Sequence, residues 1–313
     1  MTGEEEFAAR TGPLRPELLA YCYRMLGSVH DAEDLLQETW LRAWRAWDRY
    51  DPGRASVRTW LYRIATNACL TALRQQSRRP LPSGLGTGPD TDPDAPLRAG
   101  DGVPWLEPYP GDGPGSADDL RLALVAALQY LPPRQRAVLV LRDVLDWPAA
   151  EVARVLESTP ASVNSALQRA RSRLAEQRPD EHELREPDDP AQRALLDRYV
   201  AAFRAADLAA LGELLARDVV MEMPPVRNWY VGRADYLGFL RRVFAMNGTD
   251  WRMMPVRANG QPALAAYVRE GDGYVLHTLQ VFTVSGGLVR RNTVFRHPDV
   301  FASFGLAPAL ARV

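Results

Sequence analysis

The sequence contains no lysine: all 38 basic residues among its 313 are arginine. Set against 39 acidic residues they leave a formal net charge of −1, so no overall basicity marks a nucleic-acid partner. Cysteine is nearly absent. Cys22 and Cys69 both fall in helical patterns beside apolar residues and read as core thiols rather than a disulfide. Two cysteines without clustered histidines are too few for a structural zinc site, and no metal or cofactor is expected. No apolar run approaches the ~20 residues that span a bilayer. The N-terminus, MTGEEEFAAR, is acidic and lacks the basic and apolar regions of a secretory signal. The expected location is the cytoplasm, with no membrane partner. A content of 46% hydrophobic and 25% charged residues is that of a globular protein. At ~150 residues per domain the length implies two domains, or two and a smaller one.

The arginines are unevenly placed. Between Pro52 and Pro89 the chain carries Arg54, Arg58, Arg63, Arg74, Arg78 and Arg79 and no acid. From Asp90 to Asp119 the balance inverts, with Arg98 alone among aspartates. Ser158 to Ala175 is again free of acid. A basic block, an acidic linker and a basic helix follow in order.

The last of these closes WPAAEVARVLESTPASVNSALQRARSRL, Trp147 to Leu174, which reads as helix, tight turn, helix. Val152, Ala153, Val155 and Leu156 form one apolar stripe. Thr159 can cap the second helix, with Pro160 at its first position, where a missing N–H costs nothing. Val163, Ala166, Leu167, Ala170 and Leu174 share a face at helical spacing. Ser162, Asn164, Ser165, Gln168, Arg169 and Arg171 are left outside. Small polar residues and arginines on the second helix of such a pair can reach base edges and phosphates in the major groove. An ordinary helical hairpin with a solvated face would carry the same pattern.

Earlier in the chain, Leu14 to Leu26 reads as a helix ended by Gly27, and Asp31 opens a longer one, DAEDLLQETWLRAWRAW. Its acids come first and its arginines last, as the helix dipole favours. Leu36, Trp40, Trp44 and Trp47 recur at three or four residues and read as core. After Asp51-Pro52-Gly53, Ser56 can cap a third helix, VRTWLYRIATNACLTALRQQSRR. Arg63, Asn67 and Arg74 line one of its faces, with Tyr62 beside them. Arginine on phosphates and an aromatic on bases can hold an unpaired DNA strand, though a solvated basic face looks the same. Pro80 to Gly115 has the composition of a flexible linker. It holds one island, Val103 to Tyr109, whose tryptophan and tyrosine mark a docking spot. Helices are expected over Asp118 to Tyr130 and Leu131 to Val144. A second linker, RPDEHELREPDDP, precedes a change of texture. Helices at 191–206, 208–215 and 233–245 and strand-like segments at 219–223, 252–258, 263–269, 274–284 and 288–296 indicate an α+β domain.

DAEDLLQETWLRAWR with RTWLYRIATNACLTALR resembles region 2 of the extracytoplasmic-function sigma factors. LPPRQRAVLVLRDVLDWPAAEVARVLESTPASVNSALQRARSRL is similar to their region 4, in the family's order. The tail resembles the SnoaL-like, NTF2-like cone-shaped domains through GEL-LARDVVMEMPP-WY-G. The implied fold is multidomain: two all-α units, regions 2 and 4, followed by an α+β cone-shaped domain. The boundaries so implied are region 2 at 11–80, acidic linker 81–116, region 4 with its helix-turn-helix at 117–178, linker 179–190 and SnoaL-like domain 191–306. The implied partners are the RNA polymerase core (the β′ clamp and β flap) and promoter DNA, with any anti-sigma partner unknown. By resemblance Asp34, Gln37, Glu38 and Leu41 contact the core. Arg54, Tyr62, Arg63, Asn67 and Arg74 serve the −10 element, and the six polar residues of the second hairpin helix the −35 element. The family's linker enters the polymerase's RNA channel, which negative charge would favour; a solvated tether would carry the same charges.

The tail leaves readings open. SnoaL-like folds enclose a pocket, and some relatives are cyclases or isomerases. Glu222, Trp229, Tyr274 and His277 are pocket candidates, with His297 and Asp299 further available groups. No paired constellation compels catalysis, so an enzyme is not expected and no catalytic residue is assigned. A small ligand in the tail and regulation in cis by packing on region 2, region 4 or the WLEPYP island both remain. The alternative is a DNA-binding head fused to a small-ligand sensor or a cyclase- or isomerase-type enzyme.

Overall fold

The computed structural model describes residues 3–75, 78–113, 120–176 and 190–311. The chain divides into two compact units, Met1–Arg79 with Gly113–Pro179 and Pro80–Asp112 with Asp180–Val313.

The first unit is helical. α1 (Gly3–Thr11) leads through a 3₁₀ turn into α2 (Arg15–Leu26), which ends on Gly27 in the left-handed conformation, φ 72°. α3 (Val29–Arg45) begins two residues earlier than Asp31, because Ser28 Oγ accepts from the Asp31 backbone N–H and caps it. α4 (Val57–Ala72) is capped by Ser56 as its sequence predicts. It stops short of the expected length, so Arg74 lies in the turn that follows. α5 (Leu122–Leu128) begins later than expected; Asp118 and Asp119 lie outside the described residues. α6 (Pro133–Leu139) continues into a π-helical turn, Val140–Val144. α7 (Ala149–Val155) and α8 (Pro160–Glu176) form the helix-turn-helix.

The second unit contains the stretch that composition marks as flexible linker. Residues 80–112 are instead laid along the tail as a strap. Isolated bridges join Ala99 to Val226 and Pro110 to Ala258. The Asp90 N–H donates to Trp229 O (2.8 Å) and the Gly111 N–H to Arg257 O (2.9 Å). A stretch this rich in proline and glycine builds no ladder of its own, and several of its backbone groups pair with the tail's strands and the loops between them instead.

The tail proper has α9 (Pro190–Arg204), α10 (Leu208–Leu214) and α11 (Arg233–Asn247) against a sheet. Its strands are β1 (Leu215–Glu222), β2 (Trp229–Val231), β3 (Trp251–Ala258), β4 (Gln261–Glu270), β5 (Gly273–Ser285) and β6 (Leu288–Phe295). The order is β2-β1-β6-β5-β4-β3, with β1 and β6 parallel and a short β7 (Ala309–Leu310) on β5. β2, β7 and α12 (Pro298–Ser303) are too short to show a period in sequence. The main core lies between helices and sheet, around Tyr199, Phe203, Tyr236 and Phe282. A second cluster, with Tyr267, Tyr274 and Leu276, packs under Leu310 and Phe301.

Candidate nucleic-acid interface and tail cavity

α8 buries Val163, Leu167 and Ala170 and exposes Ser162, Asn164, Ser165, Gln168, Arg169 and Arg171. The Ser162 N–H donates to Thr159 Oγ1 (3.2 Å), the expected cap. The presented face is therefore polar and free of acid up to Glu176, the last residue of the helix. Arg171 is not wholly free: it makes a two-pronged pair with Asp143 (2.8 and 2.7 Å), an exposed pair that water and salt weaken.

On α3, Asp34, Gln37, Glu38 and Leu41 are all exposed, and their spacing puts them on one face. Leu41 is 51% exposed and Trp44 is 43% exposed, the latter edged by Phe7 at 5.2 Å. A leucine and a tryptophan open to solvent beside carboxylates form the kind of mixed patch that binds another protein. Trp44 thus departs from its reading as core.

Arg54, Arg63, Asn67 and Arg74 are exposed. Arg54 and Arg63 share a cavity of about 280 Å³ with Arg49, Tyr50, Asp51 and Trp60, and Arg154 of α7 completes its wall. Tyr62 is elsewhere. It is 0% exposed, its ring 5.1 Å from Tyr21 and 4.7 Å from Trp147, so it has no face to offer a base. The physical reason is helical phase: Tyr62 sits one residue from the exposed Arg63, a rotation of ~100° toward the α2 side. Arg154 escapes sequence reasoning because it belongs to a different motif, more than ninety positions away in a hairpin whose polar residues carry no mark of their neighbours.

Within this unit the two helical parts are latched. Arg58 lies 4.7 Å over the Trp147 ring while pairing with Glu17 (2.9 and 3.2 Å). Arg136 is buried and donates to Met25 O, Gln129 Oε1 (2.8 Å), Gln129 O and Leu131 O. Burial lowers its pKa to about 10, still well above neutrality, so the cation is carried by four carbonyl-type acceptors.

In the second unit the WLEPYP island is docked. Leu106 and Tyr109 are buried, and Tyr109 and Asn259 exchange hydrogen bonds: Tyr109 N–H to Asn259 Oδ1 and Asn259 N–H to Tyr109 O, both 2.8 Å. Gly100 is required there, since a Cβ would lie 2.2 Å from the Trp105 ring and 2.4 Å from Pro225 O.

Of the four tail candidates only His277 lines the tail cavity, a space of about 220 Å³ whose walls include Phe203, Met221, Phe239, Trp251 and Val294. Burial, and after it the nearby Arg296, lowers the His277 pKa to about 4, so the ring is neutral near pH 7. Glu222 is fully buried and serves as an anchor. It accepts from Arg291 Nη1 (2.9 Å), Ser83 Oγ (2.7 Å) and the Ser83 N–H (3.2 Å). Trp229 Nε1 donates to Thr87 O (3.2 Å), also holding the strap. Tyr274 donates to Asp250 Oδ1 (2.7 Å) in the second cluster. His297 caps α12 at the exposed surface, its Nδ1 accepting from the Asp299 N–H (3.3 Å).

A bulge explains the redistribution on β5. Ala266 pairs with Thr278 and Tyr267 with Leu276, so His277 is the extra residue. The side-chain alternation changes phase there. Tyr274 and Leu276 face the second cluster, whereas Thr278 and Gln280 join His277 in the cavity wall. Strict alternation places His277 with Val275, Leu279 and Val281 instead.

Two latched helical parts, one presenting a polar helix-turn-helix face, and a separate α+β tail are the arrangement of a nucleic-acid-binding protein with an appended domain. Three family models match the chain: Sigma-70 region 2 over residues 13–79, Sigma-70 region 4 over 121–174 and the SnoaL-like domain over 196–292. The ECF RNA polymerase sigma factor SigG of Mycobacterium tuberculosis is 48% identical, covering 97% of this chain and 85% of its own length. The ECF RNA polymerase sigma factor SigJ of the same organism is 35% identical over 66% of this chain and 61% of its own. The crystal structure of SigJ superposes with a TM-score of 0.63 at 25% identity, over 94% of this chain and 98% of that one. The chain belongs to the ECF RNA polymerase sigma factor family. Among the described residues no helix is long and apolar enough to cross a membrane, and no cluster suited to a metal ion occurs.

Proposed function

We propose that this chain is a promoter-specificity subunit that binds core RNA polymerase and directs initiation at −10 and −35 elements, under control in cis by its tail. The observation that carries the reading is the kinship to SigG through both helical parts and the tail together. The α3 face of Asp34, Gln37, Glu38 and Leu41 meets the polymerase core. Arg54, Arg63, Asn67 and Arg74 hold the displaced −10 strand, without Tyr62. The exposed polar face of α8 reads −35. A purified core polymerase loaded with this chain yields discrete run-off transcripts from genomic fragments. Arg63→Ala reduces promoter opening about tenfold or more while core binding persists, since each lost charged contact is worth ~1.5–3 kcal/mol. Absence of any promoter-specific transcript refutes the assignment.

The cis control uses the strap. The stretch 80–112 that the family threads through a polymerase channel is here held by Glu222, Trp229, Asn259 and Arg257. The same residues cannot occupy both places, so the tail competes with the polymerase for the strap. Ser83→Ala, which weakens the tail's hold, raises transcription without altering promoter choice; identical output refutes the competition.

A further inference from the structure

The tail cavity has an inner polar end whose hydrogen bonds can be counted. The Tyr199 and Tyr236 hydroxyls are 2.8 Å apart. Asn292 Nδ2 donates to Tyr236 Oη (2.7 Å) and to Gln280 Oε1 (3.1 Å), which spends both its hydrogens. Asn292 Oδ1 has no partner among the described residues, although Asn292 is 1% exposed and lines the cavity. An acceptor buried without a donor is costly, and the cavity beside it is the place a donor can come from. If the Asn292 and Gln280 amides are both turned over, the orphan becomes an N–H; a hydroxyl satisfies either arrangement, because it donates and accepts.

The rest of the wall sets the other half of the ligand. Phe203, Phe239 and Trp251 supply ring faces and edges, and Met221 and Met223 adaptable sulfur contacts. At about 220 Å³ the space exceeds the ~150 Å³ apolar cavity that takes up one benzene ring. Arg296, an exposed residue, is the one formally charged member of the lining, and His277 beside it is neutral, so no cation waits at the Asn292 end.

One wall belongs to the strap. Leu97 lines the cavity and is 41% exposed. It is fastened on its C-terminal side: the Arg98 N–H donates to Asn228 Oδ1 (2.7 Å) and Arg98 O accepts from the Arg227 N–H (2.8 Å). A ligand that touches Leu97 binds the strapped tail better than the unstrapped one, and must shift that equilibrium by its difference in affinity.

We propose that the tail cavity binds an uncharged aromatic hydroxyl compound of one or two rings, its hydroxyl on the Asn292 amide and its ring under Leu97, and that occupation fastens the strap to the tail. This deepens the cis-control reading by naming what sets the strap. Its test needs neither polymerase nor promoter, so the two fail separately.

The probe is 2-naphthol, titrated by its own fluorescence and by calorimetry into the full-length protein, with naphthalene and 2-naphthoate as comparators. Saturable 1:1 binding of 2-naphthol is expected, with naphthalene about tenfold weaker for want of the hydroxyl contact. Asn292→Leu removes that preference. Because this variant also cuts the Tyr236–Gln280 bridge, Leu97→Ser on the strap serves as a second one and weakens 2-naphthol about fivefold or more through lost apolar contact. Saturating 2-naphthol slows exchange of the Arg98 amide hydrogen, and slows Tyr109 and Gly111, whose partners Asn259 and Arg257 are not in the cavity wall, to a lesser degree. Lack of saturable binding overturns the proposal and leaves a hydrated cavity. So does naphthalene binding as well as 2-naphthol, tighter binding of 2-naphthoate, indifference to Leu97→Ser, or unchanged exchange at Arg98.

Discussion

Glu222→Gln is the perturbation that most directly separates an anchor from a catalytic acid. In the native tail the Glu222 carboxylate is fully buried at the end of β1, opposite Thr293 of β6 and Trp229 of β2. Its Oε1 faces the Arg291 guanidinium at 2.9 Å, and Oε2 takes both the hydroxyl and the backbone N–H of Ser83. Glutamine keeps the shape but removes the buried carboxylate that Arg291, whose side chain is 20% exposed, faces. Breaking a buried pair by removing one partner costs ~3–5 kcal/mol. Partial access of water to Arg291 puts the expected loss at the lower end, about 3 kcal/mol. For a domain of this size that is a fall of ~10 °C in the midpoint of tail unfolding. Ser83→Ala is the companion. It removes one hydrogen bond to a charged acceptor, ~1.5–3 kcal/mol, from the strap while the ion pair stays. Its effect is local opening, an acceleration of strap amide exchange of about tenfold or more, with little change in the sheet. Exchange followed by mass spectrometry on the full chain resolves β1 and β6 peptides from strap peptides, which a single melting curve of a multidomain protein does not. Glu222→Leu with Arg291→Leu recovers most of the loss, since a buried pair can be replaced by apolar groups at small cost. If Glu222→Gln leaves both β1 and strap protection at wild-type values, the anchoring role is refuted.

His277 makes stability of the tail depend on pH. Its folded pKa of about 4 lies below the ~6.5 of an unfolded histidine, so between those values the unfolded chain takes up a proton that the folded one refuses. No contribution exists above pH ~6.5; stability falls as the pH is lowered from there toward ~4 and levels off below. His277→Phe flattens that part of the profile in acid melts, and an unchanged profile counts against the assignment. Gly100→Ala drives a Cβ into the Trp105 ring and Pro225 carbonyl, so it lifts the strap around the Ala99–Val226 bridge and exposes Leu106. Faster exchange at Arg98 and Leu106, with β4 and β5 unaffected, is the expected result; wild-type exchange at both would refute the close approach.

The helical half was largely legible because its signals are local. Gly27, Ser56 and Thr159 end or begin helices through bonds to residues within four positions, and the buried face of α8 follows a 3.6-residue period. The polar face of α8 could be read for the same reason, since residues left off an apolar stripe are exposed unless another element covers them, whereas the α3 face came from the resemblance and the stripe there misplaced Trp44. Tyr62 shows the exception, since Trp147 covers it from a motif 85 positions away and no period in α4 reports that. The tail cavity lay further from view. Alternation along β5 assumes an unbroken ladder, and the single extra residue at His277 reverses the faces on either side of it. Glu222, Trp229 and Tyr274 have the chemistry of pocket residues but hold the strap and the second cluster instead. The composition of residues 80–112 shows that the stretch cannot build a core of its own. Only the tertiary structure shows that it borrows one, because its backbone groups find partners at strand ends brought together by the sheet. What the sequence by itself determined is the helix caps and the buried stripe of α8, which are set within a turn or two of helix. What the fold alone decided is every pairing across long separations, where the partner's identity is set by packing and not by spacing.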